Sequence, residues 1–148
     1  MGPVVKRRSS GSKGKKAMSD ANFQEGLNCL ELGRLKDAEE IFLKYLEENP
    51  ADAMAHNKLG VVYGKTQDLE RAKACFFKAL EWDKNFVHAW NNLGNIARQE
   101  GDLEAAIQYY RNALAIDPEN PIPRRNLKMA ERHVKWSPKK LVNLFKRK

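Results

Sequence analysis

Small and apolar residues recur along the chain at a constant spacing of 34 positions, through three consecutive segments. The rows with this spacing are Gly26, Gly60 and Gly94; Ala38, Ala72 and Ala106; Phe42, Phe76 and Tyr110; Leu35, Leu69 and Leu103; and Leu46, Leu80 and Leu114. A period shared by so many rows indicates a repeat protein, in which each unit buries its apolar face against the next one. The sequence therefore predicts repeat one at residues 19–52, repeat two at 53–86 and repeat three at 87–120.

Within each repeat, the apolar positions follow two separate helical patterns. In repeat three, Trp90, Leu93 and Ala97 recur at helical spacing, and a second helical series follows Gly101-Asp102. Glycine suits the end of a helix, where φ is positive, and aspartate suits the N-cap of the next helix. Because no segment alternates apolar and polar residues with period two, we predict an all-α fold of helix pairs without strands.

The glycine row falls in the middle of predicted helices, where glycine costs roughly 1 kcal/mol relative to alanine. A cost that recurs three times indicates that helices approach closely at each glycine. The aromatic row Phe42, Phe76 and Tyr110 would then fill the space between neighbouring helix pairs.

This pattern resembles the tetratricopeptide repeat family. The resemblance rests on Trp90-x2-Leu93-Gly94, Leu59-Gly60-x2-Tyr63, the three Ala-x3-Phe/Tyr pairs, and Pro50 and Pro118. It spans residues 19–120 and implies a right-handed α-solenoid of three helix pairs. Two positions depart from the family, because His56 stands in the tryptophan row and Lys84 replaces the proline. Repeat one carries polar residues where large apolar ones are expected, so it resembles a terminal cap.

Two further segments follow the repeats. Residues 121–135 continue the register and are predicted to form a capping helix. Residues 136–148 begin with Ser137-Pro138, which is typical of an N-cap followed by a first-turn proline. Leu144 and Phe145 then fall on one arc of a helix and lysines on the other, so this segment predicts a short basic amphipathic helix. This helix either contacts an anionic surface or folds back over the exposed end of the stack.

The net charge of +8 is distributed unevenly. Residues 1–18 carry +6, residues 19–120 carry −7 and residues 121–148 carry +9. The first segment is rich in Gly, Ser and Lys and has no residue suited to a core, so we expect a disordered basic tail. Met18-Ser19-Asp20 also resembles an ordinary N-terminus, and residues 1–17 would then be an upstream extension.

The family resemblance implies that the first helix of each pair lines a concave groove for a partner segment. The residues that the register places there are Asn57, Lys58, Val61, His88, Asn91, Asn92, Asn95, Arg98, Arg125 and Asn126. Because an amide both donates and accepts, a row of asparagines can bind the backbone of an extended peptide. The alternative is an ordinary solvated helix face.

Some family members bind a terminal carboxylate with a Lys-Asn-Asn-Lys-Arg clamp. Phe23 and Leu27 occupy the first clamp row here, so we do not expect this version of the site. Together with Leu30, these side chains either form an apolar pocket at the N-terminal end of the groove or belong to the core.

Nothing in the sequence favours catalysis. His56 and His88 lie in different repeats and His133 lies in the capping segment, without a carboxylate at metal-ligand spacing, and Cys29 and Cys75 form no CxxC motif. We therefore expect neither enzymatic activity nor a cofactor or bound metal.

The leading function is a non-catalytic, cytoplasmic scaffold or adaptor that binds a protein or peptide segment. The alternative is a peripheral adaptor whose basic termini bind an anionic membrane surface or, less favoured, nucleic acid, with the repeats as a spacer. Its contacts would be Lys139, Lys140, Lys146, Arg147 and Lys148. No apolar run approaches the roughly 20 residues that span a bilayer.

Overall fold

The structure is a computed structural model that describes residues 10–137. Within that range the chain forms seven α-helices and no strand. The helices are α1 (Ser10–Glu31), α2 (Leu35–Glu48), α3 (Ala53–Lys65), α4 (Leu69–Trp82), α5 (Val87–Gln99), α6 (Leu103–Ile116) and α7 (Pro121–Lys135). The prediction of an all-α repeat fold is confirmed.

The helices pack as a solenoid. The two helices of each repeat pack against each other, and α2 and α4 pack against the first helix of the following repeat. Each of α3, α5 and α7 also contacts the first helix before it in the array. This stacking of neighbours buries a continuous core, as repeat proteins require.

The turn between the two helices of a repeat has the same backbone conformation three times. Gly33 and Gly101 have φ angles of 73° and 84°, and Gln67 takes the equivalent place with φ of 64°. Asp68 and Asp102 follow as N-caps, and each carboxylate accepts a hydrogen bond from the backbone N–H three residues later. The predicted glycine turns and aspartate caps are thus confirmed.

A side-chain hydrogen bond closes the turn that leads into each of α3, α5 and α7. The fourth residue of the repeat donates to the carbonyl oxygen six positions earlier. The donor–acceptor pairs are His56–Pro50, Trp90–Lys84 and Arg124–Pro118, at 2.8, 3.1 and 2.7 Å. Because the acceptor is a main-chain carbonyl, Lys84 can accept this hydrogen bond as well as a proline can. In repeat two, the ring N–H of His56 takes the place of the indole N–H that Trp90 donates in repeat three.

The core centres on three contacts between a glycine and an aromatic ring. The contact pairs are Gly26–Phe42, Gly60–Phe76 and Gly94–Tyr110. A Cβ atom on Gly26 or Gly60 would lie 2.7 or 2.6 Å from a ring carbon, well inside van der Waals contact. The predicted close approach is confirmed, with one difference. Each ring lies on the glycine of its own helix pair instead of filling the space between pairs.

The N-terminal segment corrects one prediction. Residues 10–18, expected to be disordered, form the first turns of α1, and the side chains of residues 11–18 are exposed. Extending an existing helix avoids the cost of nucleation, and lysine and alanine have high helix propensity. The composition of residues 1–18 predicts disorder because it takes no account of the helix that follows them. Residues 1–9 lie outside the described residues.

The C-terminal prediction is only partly covered. α7 packs on α6 and α5, and Trp136 and Ser137 follow it without continuing the helix. The rest of the predicted amphipathic helix, residues 138–148, lies outside the described residues, and so do the five basic residues of the anionic-surface hypothesis. None of the seven helices is both long and apolar enough to cross a bilayer.

Candidate partner-binding groove

The first helices of successive repeats lie side by side and present one common surface, which we call the groove face. All ten predicted groove residues belong to α3, α5 and α7, but they differ in accessibility. Exposed members are His88, Arg98 and Arg125; half-buried members are Lys58, Val61, Asn92, Asn95 and Asn126; buried members are Asn57 and Asn91. The row of amides is therefore only partly open to a ligand.

Asn57 and Asn91 join successive repeats. Their side chains are 3% and 9% exposed. Asn57 Oδ1 accepts a hydrogen bond of 3.0 Å from Asn92 Nδ2, and Asn91 Oδ1 accepts one of 2.9 Å from Asn126 Nδ2. Buried amides need such partners because an unpaired polar group in the interior is costly. Both amides are thus engaged by the next first helix, and their direct contact with a peptide stays a prediction.

Asn95 extends this network into repeat three. Its Oδ1 accepts hydrogen bonds from Tyr110 Oη at 2.8 Å and from Asn126 Nδ2 at 3.3 Å. Burial raises the pKa of Tyr110, while the neighbouring guanidinium of Arg98 acts in the opposite direction. The phenol consequently stays protonated and remains a donor. The amide oxygen of Asn95 is thus committed to the protein itself.

A depression of about 450 Å³ opens on the groove face between α3 and α5. Val61, Lys65, Asn92, Asn95 and Gln99 are among the residues that line it, with Phe76 and Ile96 as apolar surface. Convergent polar groups around an apolar floor are typical of a site that accepts a side chain. The sequence prediction missed Lys65 and Gln99. Both lie four positions after a predicted groove residue, which is the spacing that could have identified them.

Three cations of the groove face have no carboxylate partner among the described residues, although Arg98 also interacts with the hydroxyl of Tyr110. Lys58, Arg98 and Arg125 take part in no ion pair with another residue between 10 and 137. The ion pairs in that range involve residues elsewhere, such as Arg71 with Glu39 at 3.1 Å. Although residues 19–120 are acidic overall, this face therefore offers positive charge.

The N-terminal end of the groove is closed by apolar packing. The ring of Phe23 lies 5.7 Å from that of Phe42 and 5.1 Å from that of Tyr45, and Leu27 and Leu30 also pack on the core. Of the two alternatives for these three residues, the core assignment is correct. The first row of the carboxylate clamp is accordingly occupied by side chains that the fold itself uses.

The histidines and cysteines do not form a common site within the described residues. His56 is bound to a backbone carbonyl, and His133 is exposed on α7. No cluster of three or more His, Cys, Asp or Glu side chains that could hold a metal ion occurs within the described range. Cys29 and Cys75 are free thiols, the first buried and the second half-buried.

Three solved structures illustrate the similarity of the fold. The Sgt2 TPR domain from Aspergillus fumigatus has a TM-score of 0.75 and 19% identity, over 80% of this chain and 80% of that one. The first TPR of Spaghetti (RPAP3) bound to HSP90 peptide SRMEEVD has a TM-score of 0.74 and 15% identity, over 79% and 93%. The second TPR domain of human RPAP3 in complex with HSP70 peptide SGPTIEEVD has a TM-score of 0.71 and 20% identity, over 78% and 97%.

Identities this low establish the fold and nothing finer. Among curated proteins, none matches the chain in sequence. Family models of the tetratricopeptide repeat, however, match residues 19–52, 54–86 and 87–120, which is more than half of the chain. The chain therefore belongs to the tetratricopeptide repeat family.

Proposed function

We propose that the protein is a non-catalytic adaptor that captures a segment of a partner protein on its groove face. The observation that carries the proposal is the combination, on one surface, of a lined depression and cations without ion-pair partners. Lys58 and Arg98 lie on α3 and α5, which also line the depression. A segment with an apolar side chain and nearby carboxylates complements this arrangement in shape and charge.

The hydrogen bonds between repeats support this function by holding the groove in shape. The Asn57–Asn92 pair fixes α3 relative to α5, and the Asn91–Asn126 pair fixes α5 relative to α7. A surface that is already ordered loses little conformational entropy when a ligand binds. In this proposal the asparagines contribute to binding of the partner segment mainly by fixing the positions of α3, α5 and α7.

The structural neighbours support a peptide as the ligand, since two of them carry peptides on the same fold. The residues of this chain differ, however, from the clamp that binds a terminal carboxylate in some family members. Because Phe23 and Leu27 occupy the first clamp row and pack on the core, we do not propose that this chain holds a terminal carboxylate there. The proposed ligand is instead a segment recognised by its side chains. Three repeats offer a small groove, so the affinity should be on the order of micromolar, or about −8 kcal/mol.

The test compares matched variants of the full chain in capturing partner proteins from a cell extract. Lys58→Ala with Arg98→Ala alters the groove face, and Lys36→Ala with Lys44→Ala removes the same charge from exposed positions on α2. A protein retained by the wild type and by the α2 variant, but not by the groove variant, is the expected result. Peptides that tile this protein would then locate the segment. If the groove variant retains every protein that the wild type retains, the proposal fails.

A further inference from the structure

Four side chains of α7, together with that of Trp136 directly after it, form a surface at the C-terminal end of the array, which we call the end surface. They are Ile122, Arg125, Met129, Arg132 and Trp136. At 3.6 residues per turn, the four residues on α7 fall within an arc of about 80°. The three apolar members are seven positions apart and are 51%, 42% and 67% exposed. Exposed apolar side chains therefore alternate with arginines along this face of α7 and the residue after it.

The preceding repeats explain why this stripe is exposed. Arg125 belongs to the same row as Asn57 and Asn91, which the next first helix covers in each case. Met129 likewise follows the half-buried Val61 and Asn95. Within residues 10–137 no further first helix follows α7. The end surface is thus the face against which another helix would stack.

The positive charge of α7 limits the net charge of a helix that could bind there. Arg124 and Glu131 are paired with Glu119 and Arg111. The other Lys and Arg residues of α7, namely Arg125, Lys128, Arg132 and Lys135, have no ion pair to any described residue. An occupant that brought more positive charge would be repelled.

Two occupants are disfavoured on this ground. Residues 138–148 of the chain itself contain five basic residues and no acidic one. A second copy of the chain, paired through the same surface, would place Arg125 and Arg132 against their own counterparts. Like charges brought together at an interface suppress such pairing.

We propose that the end surface docks an acidic amphipathic helix of a different protein. The apolar side chains of that helix, at alternating spacings of three and four residues, would contact Ile122, Met129 and Trp136. This is the spacing at which two helices that run side by side bring their apolar positions together. Glutamates flanking that stripe would pair with Arg125 and Arg132. Arg125 also belongs to the groove face, but the depression is lined without any residue of α7, so the end surface acts in addition to it.

The test uses a designed helical peptide of about 21 residues, or three heptads, with leucine at the core positions and glutamate beside them. A second peptide carries lysine in place of each glutamate. Fluorescence anisotropy of the labelled peptides with the full chain should show binding of the glutamate peptide and none of the lysine peptide. Arg125→Glu with Arg132→Glu should weaken the glutamate peptide about tenfold, because two exposed ion pairs become repulsive. The same variant should gain binding of the lysine peptide.

Two matched variants locate the contact. Lys36→Glu with Lys44→Glu makes the same change of net charge on α2 and should leave binding unchanged. Met129→Ser with Trp136→Ser removes apolar surface while keeping the charges and should also weaken binding. If the α2 variant weakens binding as much as the α7 variant does, attraction to net charge explains the result and the proposal is overturned.

Three other outcomes would replace the proposed occupant. If Lys58→Ala with Arg98→Ala abolishes binding while the α7 variants do not, the peptide lies in the groove, which would support the proposed function alone. If Leu144→Ser with Phe145→Ser is required before the peptide binds, the chain's own C-terminal segment covers the end surface. If sedimentation shows a dimer that Met129→Ser with Trp136→Ser dissociates, the occupant is a second copy.

Discussion

The ring of Tyr110 lies so close to Gly94 that a Cβ atom on residue 94 would overlap the ring. The hydroxyl of the same tyrosine donates to Asn95, the next residue of α5, at 2.8 Å. One side chain therefore connects the apolar packing of repeat three to the polar network of the groove face. In repeats one and two the equivalent rings are Phe42 and Phe76, which have no hydroxyl to make this connection.

The first prediction concerns this contact. Gly94→Leu should lower the free energy of unfolding by more than about 2 kcal/mol, because the added side chain forces the ring of Tyr110 out of place. Gly64 also lies in a helix but has nothing near its missing Cβ. Gly64→Ala should therefore raise stability by about 0.5–1 kcal/mol through helix propensity. Thermal melts monitored by circular dichroism measure both changes, and an unaltered melt for Gly94→Leu would contradict the packing described.

The second prediction concerns the asparagine pairs. Asn92→Ala should cost about 1–3 kcal/mol, because it leaves the buried amide oxygen of Asn57 without its donor. Asn57→Ala together with Asn92→Ala should cost less than the two single changes added together, as expected for residues in direct contact. Denaturant titration of the four species gives the coupling. Asn85→Ala, at an exposed position, is the control and should change stability by less than about 0.5 kcal/mol. Strict additivity would show that the two amides do not interact.

The fold and the groove face differ in how far the sequence alone predicts them. The fold was predictable because each helix, turn and cap depends on local signals that recur every 34 residues, such as the Gly101-Asp102 turn. The burial of Asn57 and Asn91 was not, because it depends on where a neighbouring helix lies. The sequence does contain a signal for these pairs, since the two asparagines of each pair are 35 residues apart, one more than the repeat length. The helical start of α1 was missed because composition describes residues 10–18 without the helix that follows them.

The third prediction concerns the turn of repeat two. Gln67 has a positive φ, a conformation that costs a residue with a side chain roughly 1–2 kcal/mol. Gln67→Gly should therefore stabilise the protein by about 0.5–1 kcal/mol, after allowance for the greater freedom of glycine in the unfolded chain. The exposed hydrogen bond to Gln67 from Gln99 is lost in this variant and accounts for part of the difference. The reverse change, Gly101→Gln, should destabilise to a similar extent. Equal melting temperatures for the wild type and Gln67→Gly would indicate that the turn is unstrained.

The fourth prediction concerns alkaline pH. Burial, with help from the hydrogen bond to Asp52, raises the pKa of Tyr45 to about 12, whereas in the unfolded chain it is about 10. Above pH 10 the unfolded state therefore loses this proton before the folded state does. The contribution of Tyr45 to stability is complete below pH 10 and is lost as the pH rises towards 12.

Urea titrations at pH 8 and pH 11 measure this dependence. Tyr45→Phe should be less stable than the wild type at pH 8, because the 2.8 Å hydrogen bond to Asp52 is removed. Its further loss of stability between pH 8 and pH 11 should be smaller than that of the wild type. The loss should not vanish, since burial also raises the pKa of Tyr63 and Tyr110. An identical loss in the two proteins would exclude Tyr45 as a source of the alkaline sensitivity.

The amide pairs of the groove face are unevenly placed along the array. They join α3 to α5 and α5 to α7, but Phe23 and Lys58 stand where the corresponding pair would join α1 to α3. Hydrogen bonds resist sliding and rotation because they are directional, whereas apolar contacts such as those of Phe23 are not. On the groove face, sliding of α3 against α1 should therefore meet less resistance than sliding of α5 against α3 or of α7 against α5. The elastic compliance of the groove face would accordingly be greatest at its N-terminal end.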